Sequence, residues 1–232
     1  YRQFHSRGEE SLRSTKMTVL PRIGLGMAAL GRPGYINLDR TAILGTSDER
    51  NIDEMQVRAN GVMERLMDSS SSRMPWFDCA RSYGLSEKFV GEFLRSKKVD
   101  PKDVYLSSKW GYTYVANWQV ELEQGKQHEV KDHSVENFLK QIKETNEELG
   151  EYIDLYQVHS ATFDSGILTN TTVHNALNEC KKERGWSIGL SVSGPSQDEI
   201  IREAMKIKAG DGSRLFDSVQ CTFNMLEQRP LL

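Results

Sequence analysis

Tyr152-Ile153-Asp154-Leu155-Tyr156-Gln157-Val158-His159 is a short apolar, strand-like run that closes on a residue able to handle protons. Two other runs have the same form. Trp76-Phe77-Asp78-Cys79-Ala80 carries a carboxylate at its end and is followed by Tyr83-Gly84, and Val104-Tyr105-Leu106-Ser107-Ser108-Lys109 ends on a lysine. In an α/β fold the site is built at the carboxyl ends of strands. Asp78, Tyr83, Lys109 and His159 are therefore expected to gather in one place from separate parts of the chain.

Each of the four answers a need of the next. A tyrosine is a poor acid near neutral pH, with an unperturbed pKa of about 10. A lysine beside it favours the phenolate. A carboxylate holds that lysine charged, and a histidine can orient a substrate oxygen against the hydroxyl. Together they make a proton donor for a carbonyl. Taken singly, each has a plainer reading. Asp78 could cap a helix, Tyr83 could simply pack, Lys109 could be solvated and His159 could be a satisfied core residue. Their shared position at strand ends is what points to a site.

The surrounding pattern is strand then helix, repeated. Strand-like runs occur at Arg22 to Ala28, Pro75 to Ala80, Asp103 to Lys109, Tyr152 to His159, Trp186 to Ser193 and Ser218 to Phe223. Between them apolar residues recur at steps of three and four, as on one face of a helix. Ile52, Met55, Ala59, Val62 and Leu66 form one set, and Phe89, Val90, Phe93 and Leu94 another. Val135, Phe138, Leu139 and Ile142 follow a Ser134 N-cap and stop at Gly150. Val173, Ala176, Leu177 and Cys180 follow Thr172 and stop before Gly185. Ile200, Ile201, Ala204 and Met205 follow Ser196-Gln197-Asp198-Glu199, which reads as a capping box. This alternation means parallel strands joined by crossover helices. Gly31 to Arg50 and Gly111 to His133 read as long loops, the places where substrate specificity tends to sit.

Composition narrows the function classes. The chain has 232 residues, 38% of them hydrophobic, and a formal charge of −3. That balance gives no basic footprint for nucleic acid. No stretch approaches the roughly 18 apolar residues of a membrane span. Cys79, Cys180 and Cys221 are scattered, which argues against a disulfide framework or a zinc site and favours a reducing compartment. The location expected is cytoplasmic. Residues 1–16 read as a polar arm ahead of one domain over 17–232, with the tail of an organelle transit peptide, as for a plastid, as the alternative. No metal site is expected.

Two motifs fit less well. Gly24-Leu25-Gly26-Met27-Ala28-Ala29 matches the dinucleotide fingerprint of doubly wound folds. That fold needs a helix to start here and an acidic residue about 20 residues on, whereas Leu30-Gly31-Arg32-Pro33-Gly34 breaks helices. Tyr105 and Lys109 have the spacing of the short-chain dehydrogenase pair, which needs a helix to bring the side chains together. Here the context is a strand.

The same stretches resemble the aldo-keto reductase family. The signature Asp78-Cys79-Ala80-Arg81-Ser82-Tyr83-Gly84-Leu85-Ser86-Glu87 keeps its five-residue Asp-to-Tyr offset. Ser108-Lys109 matches the end of its third strand and Tyr152 to His159 its fourth, and the likeness runs from Ile23 to Leu232. The resemblance implies a (β/α)8 barrel of the TIM type and a nicotinamide cofactor, NADPH in preference to NADH. It also implies a small carbonyl or alcohol substrate. Tyr83 is then the general acid, Lys109 and Asp78 its tuning pair and His159 the carbonyl-orienting donor. Gly26, Met27, Asp78, Ser191 and Gln220 are implied to lie against the cofactor.

Two departures qualify this. The fifth strand reads Gly189-Leu190-Ser191-Val192, so the family's amide is replaced by Val192, and Ser193 alternates to the other face. Only about six of the eight β/α units are expected, Gln220 lying on the sixth strand. Open strand edges then offer a route to self-association, and the resemblance implies that cofactor contacts carried by the missing seventh and eighth strands are lost, which weakens cofactor binding. A non-catalytic relative that has lost its cofactor is the alternative reading.

Overall fold

The computed structural model describes residues 23–34, 41–70 and 74–231, so the arm, including His5, lies outside the described residues. Strands and helices alternate along it. They run β1 (Leu25–Gly26), α1 (Ala28–Gly31), α2 (Thr41–Leu44), α3 (Ile52–Ser69), β2 (Trp76–Asp78), α4 (Ser86–Ser96) and β3 (Tyr105–Trp110). Then come β4 (Tyr112–Tyr114), β5 (Glu129–Lys131), α5 (Val135–Leu149), β6 (Leu155–Val158), α6 (Thr171–Arg184), β7 (Ser187–Ser191), α7 (Gln197–Ala204) and β8 (Ser218–Gln220).

Six parallel strands pair in the order β1-β2-β3-β6-β7-β8. Among the described residues the strand order does not reverse, which rules out the doubly wound alternative. On a flat sheet β2 and β8 would lie about 19 Å apart, four spacings of roughly 4.8 Å. Gln220 Nε2 nevertheless donates to Asp78 Oδ2 at 3.2 Å. The sheet therefore curls, and forms an open half-barrel. Among the described residues β1 and β8 each have one neighbour.

The register sorts side chains onto two faces. Gly26 pairs with Asp78, Asp78 with Ser107, Ser107 with Leu155, Lys109 with Gln157 and Ser191 with Gln220. Residues two apart share a face. The concave face therefore carries Gly26, Asp78, Ser107, Lys109, Gln157, Ser191 and Gln220. The convex face carries Phe77, Leu106, Trp110, Tyr156, Val158, Ile188 and Leu190, all buried in the main core beneath the helices. Met55, Ala59 and Met63 of α3, and Phe89, Val90, Phe93 and Leu94 of α4, supply the other side of that core.

Aspartates pin the amino ends of two strand pairs. Asp154 Oδ2 accepts from the Leu106 amide at 2.9 Å, and Asp217 Oδ2 from the Ile188 amide at 2.9 Å. Each occupies a backbone donor that the end of a ladder would leave open.

Several local expectations need correction. Among the described residues the first strand covers Leu25–Gly26 rather than running on to Ala28, Arg22 lying outside them, and one helical turn, α1, follows it and ends at Gly31. Ser134 caps α5 as expected, accepting from the Asn137 amide, but α6 is capped by Asn170, not Thr172. Gly185 ends α6 in the left-handed conformation. Ser196 makes no side-chain cap; the capping box present is Thr46 with Glu49, in a short 3₁₀ turn. Gly111 to His133 is not an unstructured loop, because β4 and β5 form an antiparallel hairpin within it. Among the described residues no helix is long and apolar enough to cross a membrane.

Candidate active site

The concave face explains why polar residues close these strands: alternation turns them away from the core and towards the mouth. Lys109, with 1% of its side chain exposed, places Nζ 2.6 Å from Asp78 Oδ2 and 3.0 Å from the Cys79 carbonyl. Asp78 Oδ1 accepts from Ser107 Oγ at 2.6 Å, and Ser107 Oγ in turn accepts from Trp76 Nε1 at 2.9 Å. With Gln220 on Oδ2, the carboxylate has a donor on each oxygen and a cation beside it. A buried charge needs that degree of satisfaction.

Tyr83 sits in the turn after β2. Lys109 Nζ lies 5.1 Å from the centre of its ring, and the His159 ring meets it edge-on at 5.5 Å and 87°. The turn is held from behind by close backbone packing. A Cβ on Gly31 would overlap the Tyr83 carbonyl, and one on Gly84, at φ +61°, would overlap the Gly31 carbonyl. Leu85 N donates to that same carbonyl at 2.7 Å. Arg32 clamps the turn from the side, donating to the Ser82 carbonyl at 3.0 Å and pairing with Glu129 at 2.9 Å. All four residues expected at strand ends therefore meet at one mouth.

His159 is fixed through its backbone. Its amide donates to the Trp110 carbonyl at 2.8 Å, and its carbonyl accepts from His133 Nε2 at 3.0 Å. Burial, helped by the Lys109, His133, Lys131 and Arg32 charges, pushes its pKa down to about 3. Burial and Lys131 push His133 down to about 4, so both rings are neutral near pH 7.

His133, in the segment that reads as a loop, is 5% exposed and packs edge-on against Trp110. His174 is also buried and donates to the Ile167 carbonyl. The hairpin adds two further residues that sequence reasoning passed over. The Tyr112 ring lies 5.1 Å from that of His159, and Lys131 Nζ lies 5.4 Å from the Tyr112 ring while donating to the Ser160 carbonyl at 2.7 Å. The charged and polar stretch between the two strands hid the hairpin; the alternation Tyr112-Thr113-Tyr114 was the available signal.

The residues implied for a cofactor fall into two groups. Gly26 borders open space, where an added Cβ would meet nothing within 4 Å. Ser191 and Gln220 stand side by side on β7 and β8. Ser191 Oγ already accepts from the Ser160 amide at 2.8 Å, leaving its hydroxyl proton to donate. Met27 differs: it is 0% exposed within the helix-facing core and offers a ligand no surface. Val192 is likewise in the core, at 4%. Ser108, on the convex face, donates instead to the buried Glu87, which also pairs with Arg81 at 2.5 Å.

A family model for the aldo/keto reductase family matches residues 22–232. The chain belongs to the aldo/keto reductase family. No curated protein matches it. Two structures from Pseudomonas aeruginosa, described as aldo-keto reductases, are similar to it. One is 23% identical with a TM-score of 0.54, covering 76% of this chain and 60% of the other; the second is 22% identical with a TM-score of 0.57, covering 90% and 65%. A glycerol dehydrogenase from Gluconobacter oxydans is 21% identical with a TM-score of 0.55, covering 90% of this chain and 53% of the other. At these identities the likeness is one of fold. The chain spans about 53–65% of the length of these reductase structures.

Proposed function

We propose that this aldo/keto reductase reduces a small aldehyde or ketone to the alcohol with NADPH, used in preference to NADH. The observation that carries the reading is the Lys109 ammonium, held 2.6 Å from Asp78 and 5.1 Å from the Tyr83 ring, with His159 on the ring's edge. The nicotinamide, when bound, supplies the hydride. Tyr83 gives a proton to the carbonyl oxygen. The Lys109 charge favours the phenolate left behind, and Asp78 fixes Lys109 in place. His159 orients the oxygen. The open space at Gly26 and the adjacent hydroxyl and amide of Ser191 and Gln220 fit the carboxamide end of the cofactor, which needs both donors and acceptors. The reverse oxidation would use the same groups.

A second reading, a non-catalytic partner that no longer holds cofactor, draws support from Val192, an apolar core residue where the family carries an amide. Fluorescence titration with NADPH and NADH separates the two. Saturable NADPH binding, abolished with turnover when the site is removed, supports the enzyme; no binding by any form of the chain that retains residues 23–231 supports the partner.

A further inference from the structure

Ser82 lies in the turn between β2 and Tyr83 and is 0% exposed. Among the described residues its hydroxyl has one hydrogen-bond neighbour, the Nδ1 of His159 at 3.4 Å. We infer that Ser82 Oγ–H donates to His159 Nδ1 and so fixes the ring as the Nε2–H tautomer, with Nε2 as the donor turned to the mouth. The inference rests on the proposed role of His159 as the residue that orients a carbonyl oxygen, and makes Ser82 a positioning residue for it.

Three observations carry it. The first is the buried hydroxyl itself. If Ser82 accepted from Nδ1–H, its own proton would be left in a dry site without an acceptor. Donating to Nδ1 satisfies that proton, and an unmet donor costs more than an unmet hydroxyl lone pair. The second is that a neutral imidazole carries one proton, so a donor on Nδ1 places the proton on Nε2. The low pKa of His159, already attributed to burial, keeps the ring in that neutral state.

The third is the way His159 is otherwise held. Its backbone is fixed on both sides, by Trp110 and His133, and its ring is flanked edge-on by Tyr83 and Tyr112. None of these four contacts distinguishes the two ring nitrogens. Ser82 does, because its hydroxyl lies against Nδ1 and not against Nε2. Ser82 also lies one residue before Tyr83, and its carbonyl is gripped by Arg32. The segment that presents the proton donor thus also sets the orienting histidine.

The test is nitrogen-15 NMR of the His159 ring in the 232-residue chain without cofactor, at neutral pH, with His159→Gln used to assign the signals. The wild-type ring is expected to show a protonated Nε2 and an Nδ1 shifted as a hydrogen-bond acceptor. Ser82→Ala should move the Nδ1 signal towards that of a lone pair with no donor. A wild-type ring protonated on Nδ1 would overturn the inference, and this needs no variant to fold. An Nδ1 signal unmoved in Ser82→Ala would overturn it as well. Neither measurement depends on turnover. An inactive protein with the stated tautomer would count against the proposed reductase while leaving the role of Ser82 in place.

Discussion

Removing the ammonium of Lys109 leaves Asp78 in a site that is almost dry, with side-chain exposures of 1% and 11% for the pair. Breaking one partner of a buried ion pair typically costs about 3–5 kcal/mol. Lys109→Met should lose stability of that order in urea unfolding, and Lys109→Met combined with Asp78→Asn should lose markedly less than the sum. Additive losses would mean the two charges act separately. Tyr83→Phe is a different experiment, because it keeps the ring and the His159 contact. In a form that binds cofactor it should reduce turnover about 10²–10⁴-fold while NADPH binding stays near wild type. Turnover like that of the wild type would remove Tyr83 from the proposed mechanism.

The histidines also tie stability to pH. In the unfolded chain they protonate near 6.5, but in the fold only near 4 for His133 and 3 for His159. Above about pH 6.5 neither state carries the proton. Below it the unfolded chain binds protons that the folded chain refuses, so stability falls as the pH drops from 6.5 towards 4. His133→Gln, which can still donate to the His159 carbonyl, should flatten that slope in a series of urea midpoints. An unchanged slope would show that other groups set the acid limit.

At the scale of elements, the β4–β5 hairpin brings the most to the mouth that the sequence did not announce. It delivers Tyr112 and Lys131, and Gly111 hinges it to β3. Gly111 has φ +109° and lies flat against the His133 ring, where a Cβ would overlap it. Gly111→Ala should cost about 1–3 kcal/mol. It should also shift the His133 and His159 resonances; unfolding energies and spectra like wild type would show the hinge to be slack. The contrast with the parallel strands is instructive. Those were legible because runs such as Leu155 to Val158 are buried throughout and mostly apolar, and because the residues that close them are polar for one reason. The hairpin is three residues a side and half exposed, so its pattern was lost among charged neighbours. Met27, implied by the resemblance to lie against the cofactor, sits instead just past the two-residue β1, where the chain turns into α1 and its side chain enters the core. The capping box at Ser196 failed because the serine backbone there is not extended, which no composition reveals.

The whole molecule is a curled sheet with two lateral edges, each with a single neighbour among the described residues. Next to β8 the chain exposes Phe223 by 53%, Met225 by 91% and Leu226 by 99%. An unpaired edge beside apolar side chains is a template for another chain. As a 232-residue polypeptide the protein should associate with rising concentration and bind NADPH weakly. Light scattering with NADPH titration checks both together; a monodisperse monomer with tight NADPH binding would show that six strands suffice.

The bond between Gln220 and Asp78 spans 142 positions of sequence. The strands of the sheet pair in the order in which they occur along the chain, with the β4–β5 hairpin inserted between β3 and β6, so a ribosome could deliver them one at a time, each docking on the last. The Asp78 carboxylate gains Ser107 and Lys109 early in that order, but its third partner emerges only when the sixth strand has been made. A nascent chain that has passed Lys109 and not yet Gln220 therefore holds the Asp78–Lys109 pair with one corner unlatched. The concave face would be finished last, after the scaffold that carries it.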